Sequence, residues 1–139
     1  MRIRIIKTRK PPEHNIDEEI VWLCSSLGFC EQIDKDRTAA AIFRSLLENT
    51  HEGVGLRSDD ISERIGKSRG AVVNHLNKLI SSGLIVRRGT RYELRERNLQ
   101  NTINEMHRDM ERMFQDMEEV AAQIDKAVLY RKMREDQNI

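Results

Sequence analysis

The strongest constraint on the fold lies in the last third of the chain, where apolar residues recur at alternating intervals of four and three. The series is Leu99, Ile103, Met106, Met110, Met113, Met117, Val120, Ile124 and Ala127. This heptad spacing predicts a coiled-coil helix over residues 98–134, about 55 Å long at 1.5 Å per residue. A helix of that length cannot pack along its whole length on a domain this small. We therefore expect the nine residues to form a homodimer interface.

This heptad series, the seam of the predicted coiled coil, does not indicate whether the two helices pair in a parallel or an antiparallel orientation. Phe114, Ala121 and Val128 occupy the e positions of the heptads and widen the apolar stripe. A wider stripe leaves open a contact with the N-terminal helix, or a bundle of more than two helices.

The overall composition is typical of a soluble, mainly helical protein with a modest core. Of the 139 residues, 34% are charged and 4% are aromatic. No run of about 18 apolar residues is present, so we expect no membrane span. The N-terminal "MRIRIIKTRK" has no apolar core or cleavage site, so we expect no signal peptide and a cytoplasmic protein. We accordingly expect free thiols at Cys24 and Cys30, in a helix and the loop after it.

Charge is distributed unevenly, although the formal net charge is only +1. Residues 1–10 carry five basic side chains and no acidic one, whereas residues 11–56 carry 3 basic and 9 acidic side chains. Residues 57–97 carry 10 basic and 5 acidic side chains, and residues 98–139 carry 6 and 9. The stretch 57–97 is therefore a basic island, which is typical of a surface that meets a polyanion.

Local patterns predict four helices and a hairpin before the long helix. Asn15 is a helix N-cap, with Glu18 completing a capping box, and that helix stops at Gly28. A second helix begins near Asp36, and a third begins at a Ser58 cap and breaks at Gly66. The fourth runs from a Ser68 cap to Gly83, with one buried face, and is followed by "LIVRRGTRYELR", whose apolar arms flank a glycine-containing turn. The buried face of the fourth helix comprises Val72, Leu76 and Leu79.

The first residues are open to three interpretations. "RIRII" alternates charged and apolar residues, which predicts a short strand that "KPP" ends. It could pair at a sheet edge, exchange between protomers, or serve as a basic arm on DNA.

Three helices followed by a hairpin form the layout of a winged helix-turn-helix. The segment "ISERIGKSRGAVVNHLNKLISSGLI" resembles the helix-turn-helix of MarR- and ArsR-type transcriptional regulators, and the resemblance covers about residues 36–97. It rests on Ile61 and Ile65, the turn at Gly66, Ser68 at the next helix start, the buried face, and "GLI" leading into the wing. The expected fold is mainly α, with an N-terminal strand and helix (1–35), a winged helix-turn-helix (36–97) and a long dimerisation helix (98–139).

The resemblance implies sequence-specific binding of double-stranded DNA by a dimeric transcriptional regulator. Helix 68–82 would lie in the major groove, where arginine and asparagine suit guanine and adenine edges, and wing 85–95 would contact the backbone. The expected DNA-binding residues are Ser58, Lys67, Ser68, Arg69, Gly70, Val73, Asn74, Asn77, Lys78, Arg87, Arg88 and Arg91. The alternative is a winged-helix protein–protein interaction module that the coiled coil holds in a larger assembly.

Nothing in the sequence indicates catalysis. No phosphate-cradling glycine loop, nucleophile motif or convincing carboxylate pair is present. Cys24 and Cys30 with His14 or His51 lack the spacing of a metal site. We therefore expect no enzyme, metal or cofactor, and the sequence leaves any small-molecule effector open.

Overall fold

The structure, a computed structural model, describes residues 2–29 and 37–137. Within those ranges the chain forms five α-helices, a 3-10 turn and three short strands. In chain order these are α1 (Ile16–Ser26), α2 (Thr38–Glu48), the 3-10 turn (Thr50–Glu52), β1 (Leu56–Arg57), α3 (Ser58–Ile65), α4 (Arg69–Ser81), β2 (Ile85–Arg88), β3 (Arg91–Leu94) and α5 (Leu99–Gln137). The expected mainly helical fold, the hairpin and the long C-terminal helix are confirmed.

The chain divides into two compact units. Unit 1 comprises Met1–Met106 and contains α1 to α4, the sheet and the first two turns of α5. Unit 2 comprises His107–Ile139, and its described part is the remainder of α5. The helix start that we predicted near Asp36 lies outside the described residues, and α2 is helical from Thr38.

Side-chain caps set the helix starts. The Asn15 carboxamide oxygen accepts hydrogen bonds from the Asp17 and Glu18 N–H groups at 3.0 and 3.2 Å, and the Ser68 hydroxyl accepts from the Ala71 N–H at 3.2 Å. Both predicted N-caps are confirmed, and each satisfies N–H groups that have no partner within the helix. The capping box predicted for Asn15 is not closed, because the Asn15 N–H donates to the Glu13 carbonyl at 3.0 Å rather than to Glu18.

The predicted Ser58 cap is wrong by one residue. Arg57 is the N-cap of α3, and its N–H donates to the Asp60 carboxylate at 3.2 Å. Ser58 is therefore the first helical residue and is buried in the domain rather than placed at the open helix end. Gly66 ends α3 with a φ of 68°, as its position in the sequence predicted.

The core of unit 1 lies between α2, α3, α4 and the sheet. Val72, Leu76 and Leu79 form the buried face of α4, as predicted, and each is at most 1% exposed. They pack with Phe43 of α2 and Ile61 of α3 in one apolar cluster. Burial of each such side chain stabilises the fold by roughly 1.5–3 kcal/mol, so this cluster fixes which side of α4 faces outward.

The predicted hairpin is one part of a three-stranded antiparallel sheet with the order β1-β3-β2. Arg88 pairs with Arg91 next to the two-residue turn, where Gly89 has a φ of 61°. The additional strand, β1, is too short for its periodicity to be recognised. At its start a Cβ on Gly55 would lie 2.6 Å from the Tyr92 carbonyl oxygen, so only glycine allows this close approach.

The strand predicted over residues 2–6 is not formed. The Arg2 N–H donates to the Ser81 carbonyl at 2.6 Å, and the Ile6 N–H donates to the Ser26 carbonyl at 2.8 Å. Ser81 and Ser26 are the last residues of α4 and α1, whose C-terminal carbonyls have no partner within their helices. The segment therefore runs extended across two helix ends instead of joining a sheet.

Candidate nucleic-acid interface

The outward face of α4 is polar and carries little charge. Gly70, Asn74, Asn77 and Lys78 are exposed and lie on the side of the helix away from its buried face. Val73 is half-buried and lies at the border between the two faces. Two carboxamides on an exposed helix face provide hydrogen-bond donors and acceptors that match base edges in a major groove.

The N-terminal end of α4 is placed by the turn that follows α3. The Ser62 hydroxyl donates to the Lys67 carbonyl, and the Lys67 N–H donates to the Ser62 carbonyl at 3.3 Å. Lys67 is half-buried as a result of its position in the turn, whereas Ser68 is exposed. The first residues of α4, Arg69 and Gly70, are exposed beside the Ser68 cap.

Arg69 at the start of α4 forms an ion pair with α3. Its Nε lies 3.4 Å from Oδ1 of Asp59, and both side chains are 71% exposed. An ion pair as exposed as this one contributes little stability. The arginine can therefore exchange Asp59 for another anion at small cost, although Asp59 would repel a phosphate placed beside it.

Ser58, which we expected to contact phosphate, is only 8% exposed. Its hydroxyl therefore lies mostly inside the domain, and α3 offers less surface here than the sequence suggested.

The three arginines of the wing (residues 85–95) that we expected to contact DNA are Arg87, Arg88 and Arg91, and each has a different partner. Arg87 Nε donates to the Gly89 carbonyl at 2.9 Å, and its guanidinium lies 5.6 Å from the centre of the Tyr92 ring. Arg91 is half-buried, and its Nη1 donates to the Gly55 carbonyl at 2.8 Å. Arg91 therefore holds the end of β1 against β3, whereas the guanidinium of Arg87 lies at the surface.

Arg88 pairs with an acid that sequence reasoning missed. Its Nε lies 2.5 Å from Oε1 of Glu93 across the hairpin. Because Val86 is the direct partner of Glu93, Arg88 is its diagonal neighbour on the same face of the sheet. The pair Arg88–Glu93 could have been predicted from the sequence by assuming a register for the hairpin. A count of basic residues alone could not reveal it.

The N-terminal segment places one basic residue, Arg2, at the C-terminal end of α4. The Arg2 backbone is hydrogen-bonded to the last residue of α4, and the Arg2 and Arg4 side chains are exposed. Nothing in the sequence pattern of residues 2–6 indicated that they would reach this helix.

The heptad series is divided between two environments. Leu99 and Ile103 are half-buried against the core of unit 1, and Met106 is 3% exposed within it. Met110 is half-buried, and every described residue from 111 onward is exposed. The apolar residues of the exposed stripe, which we call the distal stripe, are Met113, Phe114, Met117, Val120, Ala121, Ile124, Ala127 and Val128.

Unit 1 also contains an apolar groove of about 830 Å³ that the sequence did not reveal. Trp22 and Leu23 of α1 line it together with Leu47 of α2 and Leu99. Lys10, Glu19 and His14 supply polar groups at the same groove, and His14 Nδ1 lies 3.4 Å from Oε1 of Glu19.

No cluster of three or more metal-ligating side chains occurs among the described residues. Cys24 is buried in α1, and Cys30 lies outside the described ranges. In the described part of the chain, no helix is both long and apolar enough to cross a bilayer. No family model, no curated protein and no solved structure matches the chain.

Proposed function

We propose that unit 1 is a winged helix-turn-helix domain that binds double-stranded DNA in a sequence-specific way, and that the protein is a dimeric transcriptional regulator. The observation that carries this proposal is the placement of α4. Its apolar face is buried, its carboxamide-bearing face is exposed, and the hairpin that follows it carries surface arginines.

In this proposal α4 lies in the major groove. A helix with its side chains is about 10–12 Å across, which matches a groove about 12 Å wide. Asn74 and Asn77 would pair with adenine edges, and Arg69 with guanine, because these side chains present the matching donors and acceptors. Ser68 and the first N–H groups of α4 would contact a phosphate at the positive end of the helix dipole.

The hairpin would contact the backbone beside that groove. Arg87 and Arg88 are both exposed and can reach a phosphate, and for Arg88 that phosphate would compete with the half-buried Glu93. Arg91 has a supporting role in the same proposal, since its guanidinium holds β1.

Dimerisation through the distal stripe would place two such domains on one DNA molecule. The stripe consists of large apolar side chains in water, with Phe114 at 55% exposed and Ile124 at 56%. Two linked domains bind a site of two half-sites with higher avidity than either domain alone. A two-fold dimer would select a pseudo-palindrome with half-sites about one helical turn apart, or a multiple of it.

The proposal is tested by selecting binding sites from a genomic DNA pool and then titrating variants on the selected site. Arg69→Ala and Asn74→Ala should each weaken specific binding by about 1–3 kcal/mol, whereas Lys78→Ala should weaken binding equally on selected and scrambled DNA. Asp59→Asn should have the opposite effect and strengthen DNA binding, because it removes the carboxylate that competes with DNA for Arg69.

Arg44→Ala is the charge control, since Arg44 lies on α2 and pairs with Asp17 and Glu48, outside the proposed interface. Equal titrations of the wild type and the Arg69→Ala/Asn74→Ala double variant on the selected site would contradict the interface.

The second candidate function is a winged-helix protein–protein interaction module in a larger assembly. The observation that favours it is that the acids Asp59 and Glu93 are paired with arginines of the proposed interface, which lowers its positive charge. Such a module would enrich no DNA sequence, and its residual binding to DNA would not distinguish the selected site from scrambled DNA.

A further inference from the structure

The part of α5 that can pair with another helix is shorter than the heptad series. Met106 is buried within unit 1, so it is not available to a partner unless that core opens. The exposed apolar residues of the stripe begin at Met113 and end at Val128, and the next two seam positions are occupied by Arg131 and Arg134. Leu129, Tyr130 and Met133 are exposed too, but they do not occupy seam positions. Of the heptad series, only the positions in the distal stripe can pair with another helix while unit 1 stays intact.

The charges along this exposed part change sign from one end to the other. Residues 111–119 contain one basic side chain, Arg112, and four acidic side chains, at positions 111, 116, 118 and 119. Residues 126–134 contain four basic side chains, at positions 126, 131, 132 and 134, and no acidic one. The helix is therefore acidic over the start of the distal stripe and basic over residues 126–134, which Asp125 precedes and Glu135 and Asp136 follow.

We propose that the distal stripe pairs with the same stripe of a second copy in the antiparallel orientation. This inference deepens the proposed dimer and rests on it. In the antiparallel orientation the acidic end of each helix lies beside the basic end of the other, whereas a parallel pair places like charges side by side over both ends. Opposite charges on neighbouring helices set orientation even where they add little stability.

The apolar positions of the distal stripe fit this orientation. If Val120 of one copy faces Ile124 of the second copy, Met117 faces Ala127 in the next layer on each side. Phe114 then faces Val128, and the two Ala121 side chains approach each other near the centre. This register places residues 110–118 of one copy opposite residues 126–134 of the other, so the oppositely charged ends meet.

Cysteine cross-linking tests the orientation. Met117→Cys and Ala127→Cys proteins, each otherwise intact, are mixed in equal amounts, exchanged under reducing conditions and then oxidised. Both positions are exposed, so neither change removes a core contact of unit 1. Trypsin separates position 117 from position 127, so mass spectrometry identifies which pairs have formed, and the unsubstituted protein is the control for Cys24 and Cys30.

The expected result is a majority of mixed 117–127 disulfides. In the antiparallel register the two copies of position 117 are ten residues apart along the helices, about 15 Å at 1.5 Å per residue, which is beyond the Cα separation of a disulfide. A majority of 117–117 and 127–127 disulfides would overturn the antiparallel inference and show instead a dimer with parallel helices.

The absence of all three cross-links from a protein that sediments as a dimer would also overturn the inference. A protein that sediments as a monomer would overturn the proposed dimer as well. Neither result bears on whether unit 1 binds DNA, because that is measured by the site selection and titrations.

Discussion

The role of the wing is tested most directly by the salt dependence of DNA binding in an Arg87→Ala/Arg88→Ala variant. Both side chains are exposed, and neither contributes to the core. Arg91 is left unchanged because its contact with the Gly55 carbonyl holds β1, so its loss would mix a structural effect with an electrostatic one. The variant therefore isolates the two arginines that are placed to contact phosphate.

The expected magnitude follows from counterion release. Each phosphate contact contributes about 0.9 to the slope of log K against log salt concentration, so the loss of two contacts should flatten the slope by about 1.8. Between 50 and 200 mM salt, wild-type affinity should then fall about 12-fold further than that of the variant. A titration series by fluorescence anisotropy at four or five salt concentrations measures this difference.

Glu93→Gln is the matched control, because it removes the acid paired with Arg88 and leaves both arginines in place. We expect it to raise affinity at low salt without flattening the slope. Thermal unfolding should show that the Arg87→Ala/Arg88→Ala variant stays within about 0.5 kcal/mol of the wild type, as is usual for exposed positions. An unchanged slope in the folded Arg87→Ala/Arg88→Ala variant would show that these arginines do not contact the DNA backbone.

Three further predictions concern α4, the sheet and α5. Gly70→Ala should stabilise the protein by up to about 1 kcal/mol in chemical denaturation, because a Cβ there meets nothing within 4 Å and alanine favours helix. The same variant should bind the selected DNA more weakly if α4 approaches the bases closely, and unchanged affinity would show that it does not. Gly55→Ala should destabilise the domain by about 1–3 kcal/mol, since its Cβ would lie 2.6 Å from the Tyr92 carbonyl oxygen, and wild-type stability would refute that close approach. Met117→Glu/Ile124→Glu should sediment as a monomer with an unfolding transition like that of wild-type unit 1, and a dimeric double variant would contradict pairing through the distal stripe.

Local interactions explain which parts of the fold could be predicted from the sequence. The caps at Asn15 and Ser68 and the stop at Gly66 depend on side chains within four residues of each helix end, so they were recognisable without tertiary information. The buried face of α4 was predictable for the same reason, because the spacing of Val72, Leu76 and Leu79 places them on one side of any helix.

The errors arose where distant groups decide the outcome. Residues 2–6 have the alternation of a strand, but the N–H groups of Arg2 and Ile6 donate to the carbonyls that end α4 and α1 instead of to a neighbouring strand. Ser58 has the chemistry of a cap, but Asp60 accepts the Arg57 N–H and makes Arg57 the N-cap instead. Within the candidate interface, the pairs Arg69–Asp59 and Arg88–Glu93 reduce a positive charge that the residue count alone had overstated.

In α5, the heptad spacing correctly predicted a long helix, but it did not show which heptad positions are available to a partner. The spacing of four and three is the same before and after Met110, so the sequence presents Met106 and Met117 as equivalent positions of one seam. Met106 is buried by the core of unit 1, whereas Met117 is 54% exposed. A partner helix can therefore contact only the positions after Met110. The usable seam is shorter than the heptad series, and its centre lies near Ala121. The acidic segment (residues 111–119) and the basic segment (residues 126–134) lie on opposite sides of that centre. The full heptad series did not distinguish parallel from antiparallel pairing, but the shorter seam that remains once Met106 is known to be buried predicts the antiparallel orientation.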